Sequence, residues 1–184
     1  MLAERSRAHL MIIDVQERLA PHIAGGEAAA ANCVRLVRYA RRLGVPVTLT
    51  EQYPKGLGAT VESLREAAGN EVPCLEKISF SCWRDHAIRA RIEALEGEGR
   101  DQIVVAGMET HVCVGQTVLD LRAAGKTVLV VADAVGSREA AVRDLAIERF
   151  RAAGASIVAQ EMIAFEWLER GDDPAFKELI ALIK

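Results

Sequence analysis

The 184 residues predict an α/β chain, a three-layer α/β/α sandwich on a six-stranded parallel sheet. Apolar runs such as HLMIIDV (9–15), IVVA (103–106) and TVLVVA (127–132) carry no polar alternation, as strands buried on both faces of a parallel sheet do. Segments with helical spacing separate these runs. No two strand candidates are joined by a hairpin turn, so the connections are helices that must cover both faces, with right-handed crossovers. The length fits one domain over residues 1–184, enough to bury a full core.

The first strand, His9 to Val15, ends near Asp14 and so delivers a carboxylate to the carboxyl end of the sheet. Ligands of open parallel sheets bind beyond those ends. Asp14 is either a ligand-side carboxylate or a loop or cap residue. Pro21 to Gly26 reads as a loop. Glu27 to Leu43 is a helix with Ala30, Val34, Val37 and Ala40 on one apolar face, and Gly44 closes it. Val45 to Thr50 is the second strand, with Pro46 tolerated near its start.

EQYPKGLG, residues 51–58, is a loop at the same edge, where Tyr53 and Leu57 either line a pocket or face solvent. Thr60 to Ala68 is a short helix and Val72 to Ile78 the third strand, carrying Lys77 near its end. A lysine there is either solvated or held charged by a carboxylate facing the same crevice. Phe80 and Trp83 are pocket wall or core, and Cys82 precedes a helix from Arg84 to Glu96.

Asp101 to Gly125 is the most informative stretch. Ile103 to Ala106 is the fourth strand, Gly107 allows a tight turn and Thr110 is a candidate N-cap. The helix that follows carries Val114, Val118 and Leu121 and ends at Gly125. Cys113 falls in its first turn, where free backbone N–H groups and the helix dipole favour a thiolate. It is a candidate nucleophile, with simple packing the alternative and Cys82 its rival. Thr127 to Ala132 is the fifth strand. Asp133 reads as structural, and Ser137 as the N-cap of a helix from Arg138 to Ala153. Ser156 to Ala159 is the sixth strand. Met162 to Leu168 and Pro174 to Ile183 are helical, and their Phe165, Trp167 and Phe176 have no evident strand to cover.

A net charge of −3 gives no electrostatic case for nucleic acid or an acidic membrane. No apolar run reaches the roughly 18 residues that span a bilayer, and Met1 to Arg7 is not followed by a signal-peptide core. A cytoplasmic protein is expected. Cysteines 33, 74, 82 and 113 form no CxxC pair, so free thiols are expected.

The segments MIIDVQERL (11–19), CLEKISFS (74–81) and VVAGMETHVCV (104–114) resemble, in order and spacing, the isochorismatase-like family of cysteine hydrolases. TEQYPKGLG (50–58) is similar to the branch that includes animal isochorismatase-domain proteins. The resemblance implies a Rossmann-like strand order of 3-2-1-4-5-6, with Asp14 as general base, Lys77 as its charged partner and Cys113 as nucleophile. It also implies a cis peptide at Met108–Glu109 and an oxyanion hole made by the Glu109 and Cys113 amides. Isochorismatases proper lack this cysteine, so Cys113 points to the amidase-like branch. Nicotinamidases carry an Asp-x-His metal motif where this chain has Glu51, Gln52 and Tyr53, and histidines 9, 22, 86 and 111 show no ligand spacing.

The expectation is therefore a hydrolase without metal or other cofactor, cleaving a C–N bond of a small molecule through a thioester. Tyr53, Leu57, Phe80, Trp83 and His111 are the candidate substrate contacts. The alternatives are a nicotinamidase-like amidase, or an interaction or redox-sensing protein on the same scaffold. Family members are usually oligomers, so at least a dimer through the C-terminal segment is expected.

Overall fold

The apolar runs become strands in a computed structural model that describes residues 1–183. They are β1 Ala8–Ile13, β2 Val47–Gln52, β3 Cys74–Lys77, β4 Gln102–Met108, β5 Thr127–Gly136 and β6 Ser156–Val158. All pair in parallel, in the order β3-β2-β1-β4-β5-β6. The expected fold class and strand order are those found.

The pleat of β1 shows why both faces must be covered. Leu10 and Ile12 join one core with Leu36 of α1 (Gly26–Leu43), Leu64 of α3 (Glu62–Ala68), Trp167 of α7 (Gln160–Leu168) and Leu179 of α8 (Phe176–Ile183). Met11 and Ile13 join the other with Ile88 of α4 (His86–Gly97), Val118 of α5 (Cys113–Ala123) and Phe150 of α6 (Ala140–Ala152). Each such side chain contributes about 1.5–3 kcal/mol when fully buried. A strand apolar on alternate residues only would leave one layer unanchored.

Several boundaries differ from the sequence reading for local reasons. The buried face of α1 is Ala29, Cys33, Leu36, Val37 and Ala40; Ala30 and Val34 lie half-buried at its edge. Gly44, at φ 70°, ends the helix as expected. The 51–58 segment is not all loop: β2 continues to Gln52 and α2 (Pro54–Leu57) follows. Ahead of α4, Cys82–Arg84 forms a separate 3-10 turn and Asp85 caps the helix, its Oδ1 accepting from the Ala87 and Ile88 amides.

Thr110 does not cap α5. The position before that helix is Val112, without a side-chain bond, and the Thr110 amide donates instead to the Gly136 carbonyl. Ser137 does not cap α6 either, because the helix starts only at Ala140 and the Ser137 hydroxyl pairs with His111. Asp133 is structural as read, its Oδ1 accepting the Gln160 amide at the start of α7.

The C-terminal segment is largely covered by its own chain. Trp167 is fully buried and Phe176 packs against the α1 side of the core, leaving Phe165 as the exposed member of the three, at 44%. Apolar helix faces read as unpartnered in the sequence had a partner in α1.

Candidate active site

Sheet register sets the site. Ile13 pairs with Thr50 of β2 on one side and Gly107 of β4 on the other, and Gln52 pairs with Lys77. The carboxyl ends of four adjacent strands thus lie at one level. Asp14 follows β1 with φ 54°, a left-handed turn that starts the chain away from the sheet. Gly107, at φ 121°, is required here: a Cβ on it would sit 2.0 Å from the Ile13 carbonyl oxygen. It lies inside β4 at a register shift against β5, not in the turn after it.

Asp14 is fully buried and both its oxygens are bonded. Thr50 Oγ1 donates to Oδ1 at 2.6 Å and Lys77 Nζ donates to Oδ2 at 2.6 Å. Lys77 Nζ also donates to Gln52 Oε1 at 2.8 Å. Burial is the largest single effect and would lower the Lys77 pKa, but the Asp14 carboxylate together with the neighbouring Cys82 and Cys113 raises it by more, so the net shift is upward and the ammonium stays charged. Gln52 is in turn fixed by Gln16, whose Oε1 accepts the Gln52 amide and whose Nε2 donates to the Gln52 carbonyl.

Cys113 begins α5 beside this pair and is 5% exposed. Its thiol is pushed upward first by burial and then by the Asp14 carboxylate, with Lys77 opposing. The thiolate expected from the helix N-terminus is corrected to a resting thiol. Thr117 Oγ1 donates to the Cys113 carbonyl at 2.7 Å and accepts the Cys82 amide at 2.9 Å, tying the two cysteine backbones together. The Cys82 thiol is completely buried and pushed up to about 12 by that burial.

Only one of these thiols borders open space. A cavity of about 570 Å³ is lined by Arg18, Leu19, His22, Gln52, Leu57, Phe80, Glu109, Val112, Cys113 and Arg138. A larger groove of about 740 Å³ runs along α1 and α8, but none of Asp14, Lys77 and Cys113 borders it. The Met108–Glu109 peptide is cis, as the resemblance implies. Among the described residues neither the Glu109 nor the Cys113 amide donates a hydrogen bond. The Glu109 carboxylate accepts from the Arg138 amide and guanidinium through Oε1.

Asp14, Lys77 and Cys113 are thus brought together, and Leu57 and Phe80 line the cavity beside them. The other three candidate contacts do not. Tyr53 is 52% exposed, with its ring lying over Gly56. Trp83 is partly buried against the core on the α4 to α6 side, with the Arg89 and Lys126 side chains 5.8 and 5.5 Å from its ring centroid. His111 Nδ1 pairs with Ser137 Oγ at 3.0 Å, outside the cavity lining.

Thr50 and Gln52 were missed, although a signal existed. VTLTEQ places Thr48, Thr50 and Gln52 on one face of a buried strand, and polar groups there need partners. Arg18 and Arg138 sit in turns and left no such trace. Of the segment aligned with a nicotinamidase metal motif, Glu51 Oε1 accepts the Thr60 amide and hydroxyl, and Gln52 serves Lys77. Among the described residues no three His, Cys, Asp or Glu side chains cluster to hold a metal ion.

With this geometry in view, residues 8–162 match the model of the isochorismatase domain. Zebrafish isochorismatase domain-containing protein 1 is 38% identical over 173 residues, covering 93% of this chain; the chain spans 59% of the length of that relative. The structure of MAR1 ribonuclease from Caenorhabditis elegans superposes with a TM-score of 0.91 at 33% identity, covering 100% of this chain and 92% of that one. YcaC from Pseudomonas aeruginosa, solved with hexane-2,5-diol and covalent acrylamide, superposes at 0.88 with 25% identity, covering 98% and 91%.

Proposed function

This chain belongs to the isochorismatase family, and from that membership we propose that it is a cysteine hydrolase cleaving a C–N bond of a small amide. The observation that carries the reading is a neutral, fully buried Asp14–Lys77 ion pair beside the one thiol that opens into a substrate-sized cavity. Asp14 accepts the Cys113 proton as sulfur attacks the amide carbonyl, and the oxygen, now anionic, takes hydrogen bonds from the Glu109 and Cys113 amides. Asp14 then passes its proton to the leaving nitrogen, giving an amine and a thioester. Water, deprotonated by Asp14, displaces the sulfur; the acid leaves and the thiol is restored.

Lys77 pairs with Asp14 and aims it, with Gln52 and Thr50 holding the pair. A thiol held protonated at rest suits a base that deprotonates it only as the bond forms. No step needs a metal, since Asp14 supplies the base and the two amides the oxyanion contacts. The covalent acrylamide in the Pseudomonas relative is consistent with a reactive nucleophile there.

A panel of small aliphatic and aromatic amides, with a short RNA included because of the name of the Caenorhabditis neighbour, tests the reading. Amine release that vanishes in Cys113→Ala and Asp14→Asn is expected, with the acyl mass captured on Cys113 by rapid acid quench. RNA cleavage without amidase activity would replace it. Self-assembly is proposed as well, and a monomer by light scattering at micromolar concentration would remove that part.

A further inference from the structure

We infer that the substrate carries a carboxylate on a short apolar spacer, recognised by Arg18 at the mouth of the Cys113 cavity. This rests on the reading of Cys113 as nucleophile. The chain is acidic overall, at −3, yet the charges around this cavity do not follow that balance. Beside Cys113, behind the lining, the buried Asp14 and Lys77 cancel. On one wall Glu109 and Arg138 cancel, at 3.0 Å. Arg18 is left over. Among the described residues its side chain bonds only to the Gly56 carbonyl, 3.1 Å from Nη1, which holds the guanidinium without neutralising it.

The arginine is also positioned. The Arg18 amide donates to the Leu57 carbonyl at 3.0 Å, so main chain and side chain both tie it to the 56–57 turn. Its remaining N–H donors form a planar fork suited to two carboxylate oxygens. The lining that Arg18 and Cys113 share includes four apolar side chains, Leu19, Leu57, Phe80 and Val112, besides His22, Gln52 and the Glu109–Arg138 pair, and the apolar ones suit a methylene spacer. An ω-amido carboxylate satisfies both ends: its amide carbonyl at Cys113 and its carboxylate at Arg18.

The test compares succinamate, glutaramate and adipamate with the neutral butyramide and valeramide, using the full-length protein. Hydrolysis is followed by ammonia release, and equilibrium binding is measured on Cys113→Ala, where no chemistry occurs. At least one anionic amide should be preferred over its neutral counterpart by ~10- to 100-fold in kcat/KM and in binding, the range of a hydrogen bond to a charged group. In Arg18→Gln that ratio should collapse toward one through KM, and Arg18→Lys should restore part of it. Equal or better binding of the neutral amides, no binding of the anionic ones, or a preference surviving Arg18→Gln overturns the inference. Binding preference on Cys113→Ala without hydrolysis by the native protein leaves anion recognition standing and refutes the amidase reading alone.

Discussion

Replacing Lys77 by methionine tests the buried pair on which the site is built. Both side chains are 0% exposed, and the ammonium is the donor to Asp14 Oδ2 and to Gln52 Oε1. Lys77→Met therefore leaves a carboxylate in the interior with the Thr50 hydroxyl as its remaining donor, and an amide oxygen without one. Breaking one side of a buried ion pair costs about 3–5 kcal/mol. For a chain of this length each kcal/mol moves the melting temperature by roughly 2–4 °C, so a drop of roughly 6–20 °C is expected. Asp14→Asn combined with Lys77→Met removes the charge as well as its partner and should recover most of the loss, while remaining inactive. Urea unfolding, followed by the fluorescence of the fully buried Trp167, gives the free energies; the slope against urea should be unchanged. A loss below about 1 kcal/mol in the single variant, or a double variant no more stable than the single one, would refute the account of a mutually compensating pair.

Alkylation by iodoacetamide should be slow on native Cys113 at neutral pH, since burial and Asp14 hold the thiol up. Asp14→Asn removes the second cause and leaves Lys77, so the pH midpoint of alkylation should fall even though hydrolysis is lost; an upward shift on mass mapping would contradict this. His9 is buried, with Nε2 2.9 Å from Thr48 Oγ1, and burial pushes its pKa down from 6.5 to about 3. Between those values the unfolded chain binds a proton that the folded one refuses, so stability is intact above 6.5 and is lost as pH falls toward 3. Over pH 6.5 to 5, His9→Gln should flatten the slope of unfolding free energy by up to ~1.4 kcal/mol per pH unit, and an unchanged slope would count against it. Activity should survive EDTA, and elemental analysis should find no stoichiometric transition metal, because Glu51 is committed to Thr60 and Gln52 to Lys77. A tightly bound metal with nicotinamide deamidation would point to a nicotinamidase instead.

Local information determined the layers. Uninterrupted apolar runs and helical spacing are properties of a few neighbouring residues, and burial on two faces leaves a strand little choice of sequence. Asp14, Lys77 and Cys113 were legible as separate positions because each ends a strand or starts a helix, and family motifs joined them into one set. Strand register decided that they meet, together with Thr50 and Gln52, whose polar spacing in β2 was visible but had no partner until β1 and β3 lay alongside. The same holds for Trp167, Trp83 and Tyr53. Whether an aromatic ring is core, wall or surface depends on what packs over it: α1 and Lys126 are distant in sequence from Trp167 and Trp83, and Tyr53 is set by its own positive backbone angle. The charge state of the Cys113 thiol was decided last. The helix start that favours a thiolate is written in neighbouring residues, whereas burial and an anion delivered from β1, about a hundred residues earlier, exist only once the sheet has formed and excluded water.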